Sequence, residues 1–229
     1  LLFPQNNMQP FISGNYLLKI FLDGDQNNLV LTKRFMIMDP KVVIEAVVHR
    51  ASVIEDRNAK QKIDFSVFYQ NYKIDNPFND ANVVLIQNDR WDNAITTLKP
   101  LFLRETQLDY TYETGNDFNG GNEYRAFDIR SIRYYTERVA KIKSDSTRNH
   151  VYLMEDESRS YSKYVTEFDI NGYFTVKTYD GRSDETESDY AHVYFTLPYD
   201  VQRTDGNFYV FGMLSDNRCL GENKMTYNS

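Results

Sequence analysis

Apolar and polar side chains alternate with a period of two over much of this chain, and that period calls for an extended backbone with one face buried. Tyr16, Leu18, Ile20 and Leu22 share one side of such a strand, and Ile63, Phe65, Val67 and Tyr69 share another. Ala191, Val193, Phe195 and Leu197 point one way, while Tyr190, His192, Tyr194 and Thr196 point the other. Phe174, Val176 and Thr178 likewise oppose Tyr173, Thr175 and Lys177. Residues 29–38 and 42–49 are longer runs rich in β-branched side chains, separated by Asp39-Pro40. Turn chemistry falls between the runs, at Asp23-Gly24-Asp25, Gly120-Gly121-Asn122, Asn171-Gly172, Asp180-Gly181 and Asp205-Gly206. Residues 133–144 carry Tyr135, Val139 and Ile142 at helical spacing, but Tyr134-Tyr135-Thr136 favours sheet, so a strand is expected there.

Many short strands, punctuated every eight to twelve residues or so, predict antiparallel β-sandwiches rather than α/β units. The 18 Tyr and 15 Phe against one Trp lean the same way, because these rings suit a pleated, half-buried surface. The expected division places the terminal strands of a first sandwich at 1–39, its amino-terminal part missing. A central sandwich follows at 40–180, and the opening strands of a further sandwich at 181–229. No internal repeat is expected from the pattern.

The formal net charge of −7 disfavours a nucleic-acid partner, whose phosphates require clustered Lys and Arg. The one basic neighbourhood, 125–143, is interleaved with Asp128, Glu137 and several Tyr and reads as a charged sheet face. No apolar run approaches the length of a membrane-spanning helix. Cys219 is the single cysteine, so the chain cannot close a disulfide on itself.

Candidate chemistry is sparse. His49, His150 and His192 lie far apart and in no ligand spacing, and no glycine-rich phosphate loop or nucleophile elbow is present. No cofactor, metal or small-molecule ligand is therefore expected. The acidic run 180–189 lacks the oxygen spacing of a calcium loop and contains Arg182, so it reads as a solvated linker. Carboxylates are numerous, and a glycan hydrolase built on a spatial pair is a third reading behind two binding functions. Trp91, in a polar stretch read as a turn, is either a platform for a sugar or partner, or the plug of a sandwich end.

The segment 118–130 holds the densest signal. Gly120-Gly121 is expected to adopt positive φ in a tight turn that launches a strand. Alternation then puts Glu123 and Arg125 on the face of Phe127 and Ile129, where they should pair with each other or meet a partner's polar group.

At this point the chain resembles the plug protein family of the type IX secretion system of Bacteroidota. The resemblance lies in Ser13-Gly-Asn-Tyr-Leu-Leu-Lys19, Lys33-Arg-Phe-Met36, Asn88-Asp-Arg-Trp-Asp-Asn-Ala-Ile95 with Leu98-Lys-Pro100, and Gly120-Gly-Asn-Glu-Tyr-Arg-Ala-Phe-Asp128. It continues in Ser188-Asp-Tyr-Ala-His-Val-Tyr-Phe195, Phe208-Tyr-Val-Phe-Gly212 and Lys224-Met-Thr-Tyr227. Tyr124 stands where the family prefers Phe, and Asn217 where it prefers Trp, in a stretch similar to the sugar-binding edge of glycogen-binding modules. The resemblance implies tandem immunoglobulin-like, E-set-like sandwiches and no catalysis. It implies a periplasmic protein, associated with the outer membrane, that docks on the giant outer-membrane β-barrel translocon and closes its periplasmic mouth. The signature and possible interface it marks comprise Gly120, Gly121, Asn122, Glu123, Arg125, Asp128 and Trp91. The alternative is a carbohydrate-binding sandwich module of an outer-membrane glycan system.

Overall fold

The computed structural model describes the chain apart from residues 1, 2, 6, 160, 161, 164, 180, 189, 200–204 and 229. The fold is all-β, of the sandwich class, with 6% helix, so sheets carry the cores. The chain forms two compact units, each drawn from two stretches: Leu1–Val84 with Thr96–Phe118, and Leu85–Ile95 with Asn119–Ser229.

In the first unit, β1 (Gly14–Phe21) and β2 (Leu29–Ile37) form an antiparallel hairpin, Tyr16 opposite Phe35 and Leu18 opposite Lys33. Asp23 and Gly24, at φ 51° and 76°, reverse the chain between them. β3 (Val43–Arg50) pairs with β4 (Lys60–Phe68), which pairs in turn with β8 (Gln107–Asp109). The sheet runs β3-β4-β8-β7, with β7 (Phe102–Arg104) at its end and β9 (Asp117–Asn119) also joined to β4. Asp39-Pro40 thus separates strands of two different sheets. Phe65 stacks on Tyr110 at 4.5 Å between ring centres, and Leu108 and Tyr110 are wholly buried. Each of the large apolar side chains closed in here contributes about 1.5–3 kcal/mol.

Charged groups sit on the opposite face of β4. Lys62 is buried yet donates to Ser52 Oγ at 3.0 Å and lies 3.1 Å from Asp64. Asp64 also meets His49 Nε2 at 2.7 Å and accepts from Asn116 at 3.0 Å. Burial works against that carboxylate's charge, but hydrogen bonds from His49, Lys62 and Asn116 outweigh it and hold the group below its ordinary range.

The second unit contains the hairpin β5 (Leu85–Gln87) and β6 (Arg90–Ile95) and the three-stranded sheet β10-β11-β12. β10 (Val139–Ser144) is antiparallel to β11 (Asn149–Leu153), whereas β11 and β12 (Ala191–Tyr194) run parallel. Val139, Val151 and Leu153 form the buried centre, against which Phe127, Ile129, Ala191, Val193 and Phe195 pack. The expected inward face of residues 191–195 is therefore the observed one.

Several local expectations fail. Residues 173–178 form no strand, and Phe174 and Val176 are more than half exposed. The strand expected over 133–144 starts only at Val139, after bends and turns. The stretch 208–212 contributes only an isolated bridge, Tyr209 to Lys224. Alternation in these segments reflects amphipathic chain, but each lacks a neighbouring strand to complete the ladder. The acidic run 180–189 contains a single helical turn at Asp184–Glu187, and its ends, Asp180 and Asp189, lie outside the described residues.

Candidate functional site

The signature residues all lie in the second unit, and polar contacts anchor the segment from Glu123 onward. Segment 120–128 pairs with no strand, contrary to expectation. Gly121 does not adopt positive φ, and a Cβ added there meets nothing within 4 Å, so the expected glycine-dependent turn is absent at that residue. Gly120, Gly121 and Asn122 are exposed. From Glu123 onward the chain is pinned by side chains from elsewhere. The Glu123 carbonyl accepts from Arg159 at 2.7 Å, and the Tyr124 amide donates to Asp169 at 2.5 Å.

Alternation suggested Glu123 as a partner for Arg125, and the structure joins Arg125 to a carboxylate further along the chain. Its guanidinium lies 2.9 Å from Asp156 and donates to the Glu157 carbonyl, while Arg138 donates to the same Asp156 carboxylate. One carboxylate thus joins two guanidiniums from separate parts of the chain. Asp128 accepts a fork of bonds from Arg130, 2.6 Å at the closest, and these hold it below the ordinary carboxylate range despite partial burial. The Arg130 guanidinium lies 4.3 Å from the centre of the Tyr179 ring. Phe127 turns inward, edge-on to Phe195.

Trp91 stands on β6 itself, 44% exposed, rather than in a turn. The turn beside it is Asn88-Asp89, both left-handed at φ 53° and 55°, as a two-residue hairpin connection demands. Asn171-Gly172 repeats that geometry at φ 53° and 77°, and the two turns meet: Asn88 donates to Asn171 at 3.2 Å and Tyr173 to Asp89. Arg90 is clasped by Asp92 at 2.7 Å and lies 5.0 Å from the Phe211 ring centre. Glycine is required at 172, where an added Cβ would come within 2.6 Å of the Tyr124 ring. Two sequence signals that looked independent, the 120–128 segment and the Asn-Gly turn, are one packing unit.

Sequence separation hid another cluster. His150 and His192 face each other across β11 and β12, ring centres 5.5 Å apart, with Tyr152 and Tyr194 stacked beside them at 4.5 Å. A signal existed: the tripeptide His-Val-Tyr occurs at 150–152 and again at 192–194, a short repeat against the expectation of none. Parallel pairing puts the two copies in register. Among the described residues, no group of three or more His, Cys, Asp or Glu is gathered to hold a metal ion.

Among the described residues, the polar clusters of this sandwich fold consist of ion pairs, turns and ring stacks. Residues 1–39 match the family described as Type 9 secretion system plug protein 1st domain, in agreement with the family that the motifs resemble. A solved crystal structure of a hypothetical protein from Parabacteroides merdae ATCC 43184 is 33% identical, with a TM-score of 0.89. That similarity covers 100% of this chain, which spans 57% of the other chain's length. No curated protein matches.

Proposed function

We infer that this chain belongs to a non-enzymatic periplasmic accessory protein that docks on the giant outer-membrane β-barrel translocon of type IX secretion and plugs its periplasmic opening. The match of residues 1–39 to the plug protein's first domain carries this reading. Its division into sandwich segments 1–39, 40–180 and 181–229 belongs to the same proposal. The surface supports it: Tyr134, Tyr135, Tyr179 and Tyr190 are each at least 60% exposed, and tyrosine offers large contact area at small entropic cost. The ion pairs of Arg125 with Asp156 and of Asp128 with Arg130 anchor the latter part of the signature segment, which supports its use as a preformed docking surface.

Affinity isolation from the envelope of a type IX-secreting bacterium tests the reading. Recovery of the giant barrel protein, identified by mass spectrometry, supports it. Absence of the barrel together with retention on glycan columns favours the carbohydrate-binding alternative, for which the exposed Trp91 is the motivating observation. In that case Trp91→Ala abolishes glycan retention; under the plug reading no glycan is retained by either protein. Hydrolysis of a polysaccharide, lost on changing one carboxylate, would replace both readings.

A further inference from the structure

The outward face of β10-β11-β12 has a composition unlike the rest of this acidic chain. Alternation sends Val139, Ile142, Val151 and Val193 to the core side and leaves Lys141, Lys143, His150, Tyr152, His192 and Tyr194 on the other. Both lysines, His192 and Tyr194 are exposed, and His150 and Tyr152 partly so. Because β11 and β12 are parallel and in register, the two His-Val-Tyr copies build a ladder in which like stands against like. The tyrosine planes lie within 9° of each other and the imidazoles within 20°.

This stacking decides what the face can hold. A sugar stacks on an open ring face, but the Tyr152 ring has Tyr194 on it and the Lys143 ammonium 5.9 Å from its centre. The exposed members of this face are the Lys141 and Lys143 ammoniums, the His192 imidazole and the Tyr194 phenol. These are donors for anions. His150 already shows the preference: its Nδ1 meets the Tyr194 hydroxyl and its Nε2 meets Asp145, each at 3.0 Å. Asp145, at the turn from β10 to β11, is the carboxylate joined to the ladder, and it is held well below its ordinary range, first by the Thr147 amide and then by His150. Against it stand Lys141 and Lys143 from β10, His150 from β11 and His192 from β12. In a chain of net charge −7, this is a local reversal of sign.

We propose that this face docks an acidic polypeptide segment, its carboxylates seated on Lys141, Lys143 and His192, with His150 holding the Tyr194 phenol beside them. The proposal rests on the docking function inferred above and specifies the charge of the partner's contact. Charge-assisted bonds to carboxylates give such a contact its specificity and make it sensitive to salt.

The test titrates a ten-residue poly-glutamate peptide onto the full chain and onto the variants Lys141→Glu/Lys143→Glu and His150→Gln/His192→Gln. The lysine pair of changes is expected to weaken binding at least about tenfold, and the histidine pair to weaken it by a smaller factor. Retained circular dichroism shows that a variant is folded; should the charge reversal unfold the sheet, Lys141→Ala/Lys143→Ala serves instead. No binding, binding unchanged in the variants, or equal binding of an anionic polysaccharide overturns the proposal. Envelope capture separates the two levels. Barrel recovered equally by wild type and by the lysine variant leaves the plug reading standing and sinks this face. Barrel recovered by neither, with glutamate peptide still bound to the wild type, sinks the plug reading alone.

Discussion

Gly172 and Gly121 look alike in sequence, each beside an asparagine in a turn-rich stretch, yet their surroundings differ in kind. At Gly172 the backbone is left-handed at φ 77° and the Tyr124 ring occupies the space a Cβ would take. Gly172→Ala is expected to destabilise by about 1–3 kcal/mol, through strain and displacement of Tyr124. Gly121→Ala has neither problem and should stay within about 0.5 kcal/mol. Denaturant melts of the two variants check both values. Asp64 supplies a pH dependence whose sign follows from its neighbours. Its folded-state pKa is lowered, so its contribution to stability is present above the ordinary carboxylate pKa of about 3.9 and is lost as pH falls through the lower, folded value. Acid melts of Asp64→Asn should therefore show a shallower fall in stability below about pH 4 than the wild type. The carboxylate shared by Arg125 and Arg138 was beyond sequence reading, because Asp156 lies 31 residues from one guanidinium and 18 from the other.

At the scale of elements, alternation located β1, β4 and β12 closely, since each has enough side chains of period two to declare a face, and β-branched runs located β2 and β3. It overstated residues 173–178, where the pattern exists but no ladder does. β3 is the informative exception to burial. It ends its sheet, and Val43, Ile44, Val47 and Val48 are each more than 60% exposed, so apolar side chains stand bare on both of its faces. A long apolar edge strand is a template for pairing with another strand. The chain is expected to associate at raised concentration, and Ile44→Lys/Val48→Lys to suppress that association while leaving the melt nearly unchanged. Sedimentation velocity over a tenfold concentration range checks it; association that persists in the variant would exclude β3 as its route.

For the whole molecule, the expected circular dichroism is that of sheet, with helix below about a tenth, far under the third usual in globular proteins. That expectation was already contained in the sequence, as were the faces of the best strands and the −7 charge that disfavours nucleic acid. The match of residues 1–39 agrees with the family that the motifs resemble. Alternation is a local property: it says which side of a strand is wet, and it says so from residues two apart. Which strand lies next to which is decided by packing between segments far apart in the chain, and no local pattern encodes it. Tertiary structure alone placed Arg125 on Asp156, folded Gly172 under Tyr124, and brought two copies of His-Val-Tyr, forty-odd residues apart, into parallel register as one surface.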